Sequence, residues 1–279
     1  MIKIVTDSTA YLSEAMIQQY DIRVVPLYIH FGNEAFREGV DLSDPDFYAR
    51  LKEAPELPTT SQPSAGEFLE VFKELSGAGH EILVMTISSN LSGTWDSAMA
   101  AKNMLPEAQI EVIDSLSTAL GLELIVKAAA EAVAGGASLQ EVAAMAEEIK
   151  GKLHVLFVVD TLEYLAKGGR IGNAKAFLGT ILKVKPILFL QDGRIEPLEQ
   201  VRSRHKAQAR MLDLIAERLG DQGPQAQTAV THALVPDEAQ RLKQELVARL
   251  GCSEPLMTDI GPVIGTHTGP GTVGIAAYV

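Results

Sequence analysis

Three apolar runs in the first half of the chain end in the same kind of residue. "VTDST" closes one at 5–9, "TISSNLSGT" a second at 86–94 and "VIDSLST" a third at 112–118. In an open parallel sheet, ligands sit beyond the carboxyl ends of the strands. One sheet edge would therefore collect Asp7, Ser8, Thr9, Ser88, Ser89, Ser92, Thr94, Asp114 and Ser115. Hydroxyls both donate and accept, so such an edge can hold a polar group without setting a fixed charge against it. Each junction also reads as a helix cap, because Ser, Thr and Asp cap the helices that follow strands. Three junctions with hydroxyls to spare favour a polar ligand site.

A second hydroxyl cluster lies in "LPTTSQPS", 57–64, a loop stiffened by two prolines. Ser64 and Glu67 fit the S-x-x-E capping box of a following helix. Thr60 and Ser61 are not needed for that cap and are free to face a ligand. The cationic candidates lie later: Arg170 in "KGGRIG", Arg202 and Arg204 in "VRSR", and His267 in "GTHTGPG". Glycines beside Arg170 and His267 either let backbone approach a ligand or simply make turns.

Several familiar motifs fail. "GPGTVG" at 269–274 satisfies G-x-G-x-x-G, but only "IAAYV" follows, so no helix presents a phosphate site. The chain has no Walker-type cradle, and Asn90 stands where a hydrolase elbow needs glycine. His30, His80, His154, His205, His232 and His267 are scattered, with no metal-ligand helical spacing.

The elements that would position these residues follow from periodicity. Strands are expected at Ile2–Thr6, Val24–Ile29, Ile82–Ile87 and Ile110–Ile113. Helices are expected at Leu12–Gln19, Asp46–Lys52, Ala65–Leu75, Asp96–Asn103, Thr118–Ala134 and Leu139–Lys150. Such alternation implies a mainly parallel, helix-flanked sheet. After Gly151 the pattern changes. "HVLFVVD" reads as a strand and Asn173–Lys183 as a helix, and "KPILFLQDGRIEPLEQVR" reads as two strands turning at Asp192-Gly193. Two further strand–helix units complete an α+β second domain with antiparallel pairing, the boundary lying near residue 150.

Composition narrows the function classes. The net charge is −12, from 24 basic and 36 acidic residues, which disfavours nucleic acid or an anionic membrane as main partner. The near-apolar stretch from Ala119 to Ala134 carries Glu123, Lys127 and Glu131 at helical spacing, the pattern of a packed helix rather than a span. "MIKIVTDST" enters a strand at once, leaving no room for a signal peptide. Cys252 is alone, so neither an intrachain disulfide nor a thiolate metal cluster is available. The expectation is a cytoplasmic, metal-free α/β protein.

"TDSTAYL", "TTSQPS", "SSNLSGTWDSA", "VIDS", "KGGRIG", "KPIL" and "GPVIGTHTGPGTVG" occur in this order through nearly the whole chain. In that set the sequence resembles the DegV family. The resemblance implies an α/β fold of two domains. Residues 1–150 would form an N-terminal α/β domain with a mainly parallel sheet, carrying the headgroup-binding loops. Residues 151–279 would form a C-terminal α+β domain with a mixed or antiparallel sheet, serving as lid of a lipid tunnel and as partner-docking surface. It also implies a bound long-chain fatty acid, no cofactor, and no catalysis by this chain. A separate ATP-binding fatty acid kinase subunit would phosphorylate the carboxyl group, and the acyl phosphate would feed phospholipid synthesis, with an acyltransferase as possible further partner and only transient membrane contact.

On the matching positions, the carboxyl-binding hydroxyls fall on Thr60 and Ser92, with Ser61, Gly93, Thr94, His267 and Thr268 around them. Positions implicated in kinase docking or phosphoryl transfer fall on Arg170, Arg202 and His267. Trp95 departs from the tyrosine common in relatives. Two other functions stand beside this one: a lipid sensor without a kinase, and a phosphotransfer enzyme using His267. For a fatty acid, about 15 methylenes at ~0.8 kcal/mol each give roughly 12 kcal/mol gross, against about 1.5–3 kcal/mol for a hydrogen bond to a charged group. The tail would set affinity, and the hydroxyls would set which end faces out.

Overall fold

The computed structural model describes residues 1–178 and 184–279. The first half runs β1 (Ile2–Asp7), a 3-10 turn (Ser8–Ala10), α1 (Glu14–Tyr20), β2 (Arg23–Val25), β3 (Tyr28–Phe31), β4 (Glu34–Arg37), α2 (Asp44–Glu53), β5 (Thr59–Ser61), α3 (Ala65–Gly77), β6 (Glu81–Thr86), α4 (Thr94–Asn103), β7 (Ile110–Asp114), α5 (Leu120–Ala134) and α6 (Leu139–Lys152). The second half continues β8 (His154–Val158), α7 (Glu163–Lys167), a 3-10 turn (Gly172–Phe177), β9 (Lys185–Gln191), β10 (Arg194–Val201), α8 (Arg204–Leu219), a 3-10 turn (Gly220–Gln225), β11 (Gln227–His232), α9 (Pro236–Leu250), β12 (Leu256–Asp259), α10 (Pro262–Thr268) and β13 (Val273–Tyr278).

Among the described residues the strands form three sheets. The first, in the order β2-β1-β6-β7, is wholly parallel. Phe68 and Phe72 of α3 and Ala98 and Ala101 of α4 cover one face. The other face meets α5 and α6 through Leu122, Ile125 and Val142. Burial on both faces explains why "EILVMT" is almost continuously apolar instead of alternating. The second sheet, β10-β9-β8-β13-β11-β12, is antiparallel except for its β11–β12 edge. Met211 and Ile215 of α8 and Leu242 and Leu246 of α9 close one face of it.

Helix α5 joins the two sheets. Its residues Leu120 to Val126 are all buried. Leu122 and Ile125 face the parallel sheet, whereas Leu120 and Leu124 pack with Val155, Ala229 and Ala276 of the second sheet. A helix apolar on every side is one enclosed on every side, and that accounts for the length of the apolar run in the sequence. Among the described residues, no helix is long and apolar enough to cross a membrane.

Serine caps place five of the helix starts. Ser13, Ser43, Ser64, Ser138 and Ser203 each accept a hydrogen bond from a first-turn backbone N–H. Ser64–Glu67 is a complete capping box, as its spacing predicts. The 191–194 hairpin is also confirmed: Asp192 at φ 50° and Gly193 at φ 74° make the two-residue turn between β9 and β10.

Three expectations are corrected. The single strand at Val24–Ile29 is two strands in two sheets. β2 pairs parallel with β1, whereas β3 pairs antiparallel with β4 and β5 in a small third sheet. Pro26 stands between them, and without an N–H it cannot continue a ladder. The helix expected from Thr118 begins at Leu120, because Ala119 holds a positive φ of 48° that no α-helix admits. The helix expected at Asn173–Lys183 is a 3-10 turn over Gly172–Phe177, and its last five positions lie outside the described residues. The strands β4 and β5 and the helices α7 and α10 were not anticipated.

Candidate functional site

The hydroxyls at the three strand ends are mostly engaged inside the fold. Asp7, fully buried, accepts from Thr9 N at 2.9 Å, Thr9 Oγ1 at 2.6 Å and Ile87 N at 2.6 Å. Burial pushes its carboxyl up to about 6 despite those bonds. Ser8 donates to Glu38 at 2.6 Å, and Ser88 donates to the Gly193 carbonyl at 2.9 Å. Asp114 accepts from Ser89 N at 3.1 Å and Leu116 N at 3.0 Å, while Ser115 donates to the Ser117 carbonyl. At Asp7, Ser8, Thr9, Ser88, Asp114 and Ser115 the capping and turn chemistry accounts for the side chain, Ser89 contributes its backbone N–H, and none of these lines the apolar cavity described next. Ser92 is the member of that set which does.

The cavity has an empty volume of about 840 Å³, counting solvent at its mouth. Its walls come from every part of the chain. The parallel sheet's carboxyl edge gives Ile87, Leu91 and Ser92, and the approach to α5 gives Thr118, Ala119 and Leu120. Leu27 and the β5 loop give an apolar contact beside Thr60, Ser61 and Gln62. The second sheet gives Val155, Phe157, Leu190 and Ile195, and α10 gives Val263, Ile264, His267 and Thr268. Most of these side chains are aliphatic. Several of the polar ones form a connected group.

Thr60 Oγ1 lies 2.8 Å from His267 Nε2, which joins positions 207 residues apart. The opposite ring face of the site is tight. A Cβ on Gly168 would overlap His267 Nδ1, so only glycine lets α7's end approach the ring. The Gly168 carbonyl accepts from Arg170 Nη1 at 2.9 Å, and Arg170 Nε donates to the Leu91 carbonyl at 3.1 Å. Ser92, next in the chain, shares a hydrogen bond with Thr94 at 2.9 Å. Ser61 Oγ is 2.8 Å from His30 Nε2. One run of contacts thus links Thr60, His267, Gly168, Arg170, Leu91 and Ser92.

Electrostatics sharpen that group. Burial, and then the Arg170 cation, push His267 down to about 4, so its imidazole is neutral near pH 7. Its Nδ1 is buried without a hydrogen-bond partner. The tautomer protonated at Nε2 therefore donates its one N–H to Thr60 Oγ1 and leaves the Thr60 proton free to donate. Thr118 Oγ1, also on the cavity wall, is buried without a partner. Among the described lining residues Arg170 carries the sole full charge. The arrangement is a greasy cavity with neutral donors and one guanidinium at a single polar cluster.

Other candidate residues sit elsewhere. Gly93 and Thr94 are not on the cavity wall. Gly93 is the N-cap position of α4, where a Cβ would crowd the Gln62 amide at 3.0 Å, and Thr94 is buried behind Ser92. Arg202 is exposed and outside the cavity. Arg204 is tied to Glu238 at 2.6 Å and to the Gly271 carbonyl. The aliphatic wall, Gln62 and Thr118 escaped the sequence reading. Gln62 lay inside a motif already singled out, but dispersed aliphatic positions leave no spacing signal.

A second, larger cavity of about 1360 Å³ is ringed by Asp7, Glu14, Glu38, Asp44, Glu123 and Asp259 with no Lys, Arg or His on its described wall. Its charge sets it against an anionic ligand. Among the described residues no cluster of His, Cys, Asp and Glu could hold a metal ion.

The chain is similar to known proteins along its whole length. A DegV domain-containing protein of Halalkalibacterium halodurans is 40% identical over 279 residues, covering 100% of this chain and 98% of the relative. A DegV family protein from Thermus thermophilus, described as fatty acid binding, superposes with a TM-score of 0.94 at 36% identity, covering 99% of both chains. A stearic acid-binding protein from Eubacterium ventriosum superposes with a TM-score of 0.93 at 28% identity, covering 100% of this chain and 98% of that one. With the DegV family's sequence pattern matched over residues 1–279, the chain belongs to the DegV family.

Proposed function

We propose that this protein binds one long-chain fatty acid in the aliphatic cavity, its carboxyl at the Thr60–His267–Ser92 cluster, and presents that carboxyl to a separate kinase subunit. The observation that carries the proposal is the cavity's composition, an aliphatic wall with neutral donors and a single guanidinium gathered at Thr60, Ser92, His267 and Arg170. The fatty-acid ligands named for the similar Thermus and Eubacterium proteins support it.

The donor set suits cargo whose charge changes. Hydroxyl donors serve a carboxylate, a carboxylic acid or an acyl phosphate, whereas a buried lysine would grip only the anion. Neutral His267 supports Thr60 in one orientation and adds no second positive charge. Arg170 supplies attraction for an anionic headgroup while its guanidinium is held on the Gly168 and Leu91 carbonyls. Exposed Arg202 is placed where a partner could reach it, and we assign it to kinase docking. In this reading residues 1–150 and 151–279 act as two domains, headgroup loops and lid. The chain itself performs no chemistry and works in the cytoplasm.

Native mass spectrometry of protein purified from bacterial cells tests the ligand. A single retained fatty acid of long chain is expected. Absence of any lipid, with no rise in Tm on adding stearate to the delipidated protein, would overturn the proposal. Pull-down with a fatty acid kinase subunit tests presentation, with loss of capture expected for Arg202→Ala.

A further inference from the structure

We propose that Glu38 is a positioning residue for the fatty-acid site, anchoring the first turn of α10 to the first half of the chain and so carrying His267 to Thr60. The inference rests on the binding function proposed above, which gives that position its consequence.

Glu38 is a buried carboxylate, 4% exposed, and it does not itself line the fatty-acid cavity. Its Oε2 accepts from Ser8 Oγ at 2.6 Å, and Ser8 Oγ in turn accepts from Leu27 N at 3.0 Å. Its Oε1 accepts from Tyr11 Oη at 3.1 Å and from the backbone N–H of Val263 at 2.6 Å. Tyr11 Oη accepts from Ile264 N at 3.1 Å. Two first-turn N–H groups of α10, which lack partners within a helix, are thereby held by side chains that follow β1 and β4. The partners span 225 and 253 residues of sequence.

The seat is cut to fit. A Cβ on Gly261 would lie 2.5 Å from the Tyr11 ring and 3.1 Å from Glu38 Oε1. A Cβ on Gly265, one turn on, would lie 2.6 Å from Tyr48 Oη and 3.1 Å from the Phe47 ring. Tyr48 Oη also donates to the Ile260 carbonyl at 2.8 Å. The glycines of "GPVIG" are thus notches that admit four side chains of the first half, Tyr11, Glu38, Phe47 and Tyr48. Tyr11 itself holds φ 48°, uncommon for a non-glycine residue, to bring its hydroxyl there. His267 and Thr268 lie at the other end of this same short helix, so a shift of its first turn moves them off Thr60 and the cavity.

Among the described residues no cation sits against Glu38. Asp44 adds repulsion, and Tyr11, Tyr48 and, through Tyr48, Asp259 are the other titratable groups nearby. Burial, opposed by the bonds from Ser8, Val263 and Tyr11, leaves its carboxyl raised to about 7. A neutral amide is therefore close in charge as well as shape, and Glu38→Gln should keep the anchor: its oxygen accepts from Val263 and Tyr11, and its NH₂ donates to Ser8.

The test uses the full chain with ¹⁵N-labelled histidine, reading the His267 ring resonances (identified by their loss in His267→Gln) and the Kd for stearate. Glu38→Ala is expected to shift the His267 resonances and to weaken stearate about tenfold or more. Glu38→Gln should leave the His267 resonances in place and the Kd within about twofold. Tyr11→Phe, which removes the Ile264 acceptor while keeping the ring, should shift His267 in the same direction and covers the case that Glu38→Ala does not fold. Leu139→Ala, which opens the core at α6, should lower Tm but leave the His267 resonances and Kd unchanged. Unchanged His267 resonances in Glu38→Ala or, where it does not fold, in Tyr11→Phe would overturn the proposal. So would an equal response to Leu139→Ala. Failure of stearate to bind the wild type would sink the ligand assignment, while the His267 resonances would still decide the anchor.

Discussion

The division of labour between tail and headgroup gives a quantitative prediction for Thr60→Val, which keeps the β-branched shape and removes the hydroxyl. In the free protein His267 Nε2 loses the partner it holds at 2.8 Å. With His267 buried, that orphaned N–H costs about 1–3 kcal/mol of stability, a fall in Tm. In the complex the headgroup loses one donor, worth about 1.5–3 kcal/mol for a charged acceptor, or roughly a ten- to hundredfold rise in Kd. Tail burial is untouched. Along a saturated series from ten to eighteen carbons, each added methylene contributes about 0.8 kcal/mol, about a fourfold gain in affinity, until the cavity is full. Isothermal titration should give two parallel lines for wild type and variant when log Kd is plotted against chain length. Thr60→Ser should fall close to the wild-type line. If the variant changes the slope and leaves the intercept, or if affinity ignores chain length, Thr60 is not at the headgroup and the cavity does not hold the tail.

Three further outcomes follow from burial and close packing. Glu123, buried in α5 with Thr258 Oγ1 donating at 2.7 Å, is raised by burial to about 7. Its folded pKa exceeds the unfolded one, so its stability contribution is full below about 4.5 and is lost as pH rises through 7. Glu123→Gln should therefore be more stable than wild type by about 2–3 kcal/mol at pH 8 in urea unfolding, with the advantage vanishing near pH 5. His267, lowered to about 4, acts in the opposite direction, since protons bind the unfolded chain first as pH falls below about 6.5. Acidification from pH 6.5 to 4.5 should destabilise wild type more than His267→Gln, by about 2–3 kcal/mol. Gly121→Ala would drive a methyl into Ser117 Oγ and to 3.0 Å from Leu153 and Val155. Overpacking there should lower stability by about 1–3 kcal/mol and weaken stearate, because Val155 is a cavity wall residue. Unchanged Kd would separate α5 packing from the site.

Local chemistry was legible in the one-dimensional pattern. The Ser64–Glu67 box, the Asp192-Gly193 hairpin and the parallel alternation of strands and helices depend on residues a few positions apart, and all appear where their spacing places them. The same legibility misled at the strand ends. Ser and Asp residues there look alike whether they cap a helix or face a ligand, and Asp7, Ser88 and Asp114 turned out to be committed to backbone N–H and C=O groups. The split of β2 from β3 depended on one proline, whose effect on pairing is visible only when the partner strands are known.

By itself the sequence determined where the serine-capped helices begin, which strands run buried on both faces, and which hydroxyls near Thr60 and Ser92 were left over after capping. Those outcomes are governed by hydrogen bonds and burial within a turn or a strand. Only the tertiary structure decided that Thr60 meets His267 across 207 positions, that Glu38 rather than a ligand takes the first N–H of α10, and that aliphatic residues from both sheets enclose one space. Such contacts have no period along the chain, because side chains converge on a cavity by the path of the backbone and not by their interval in sequence.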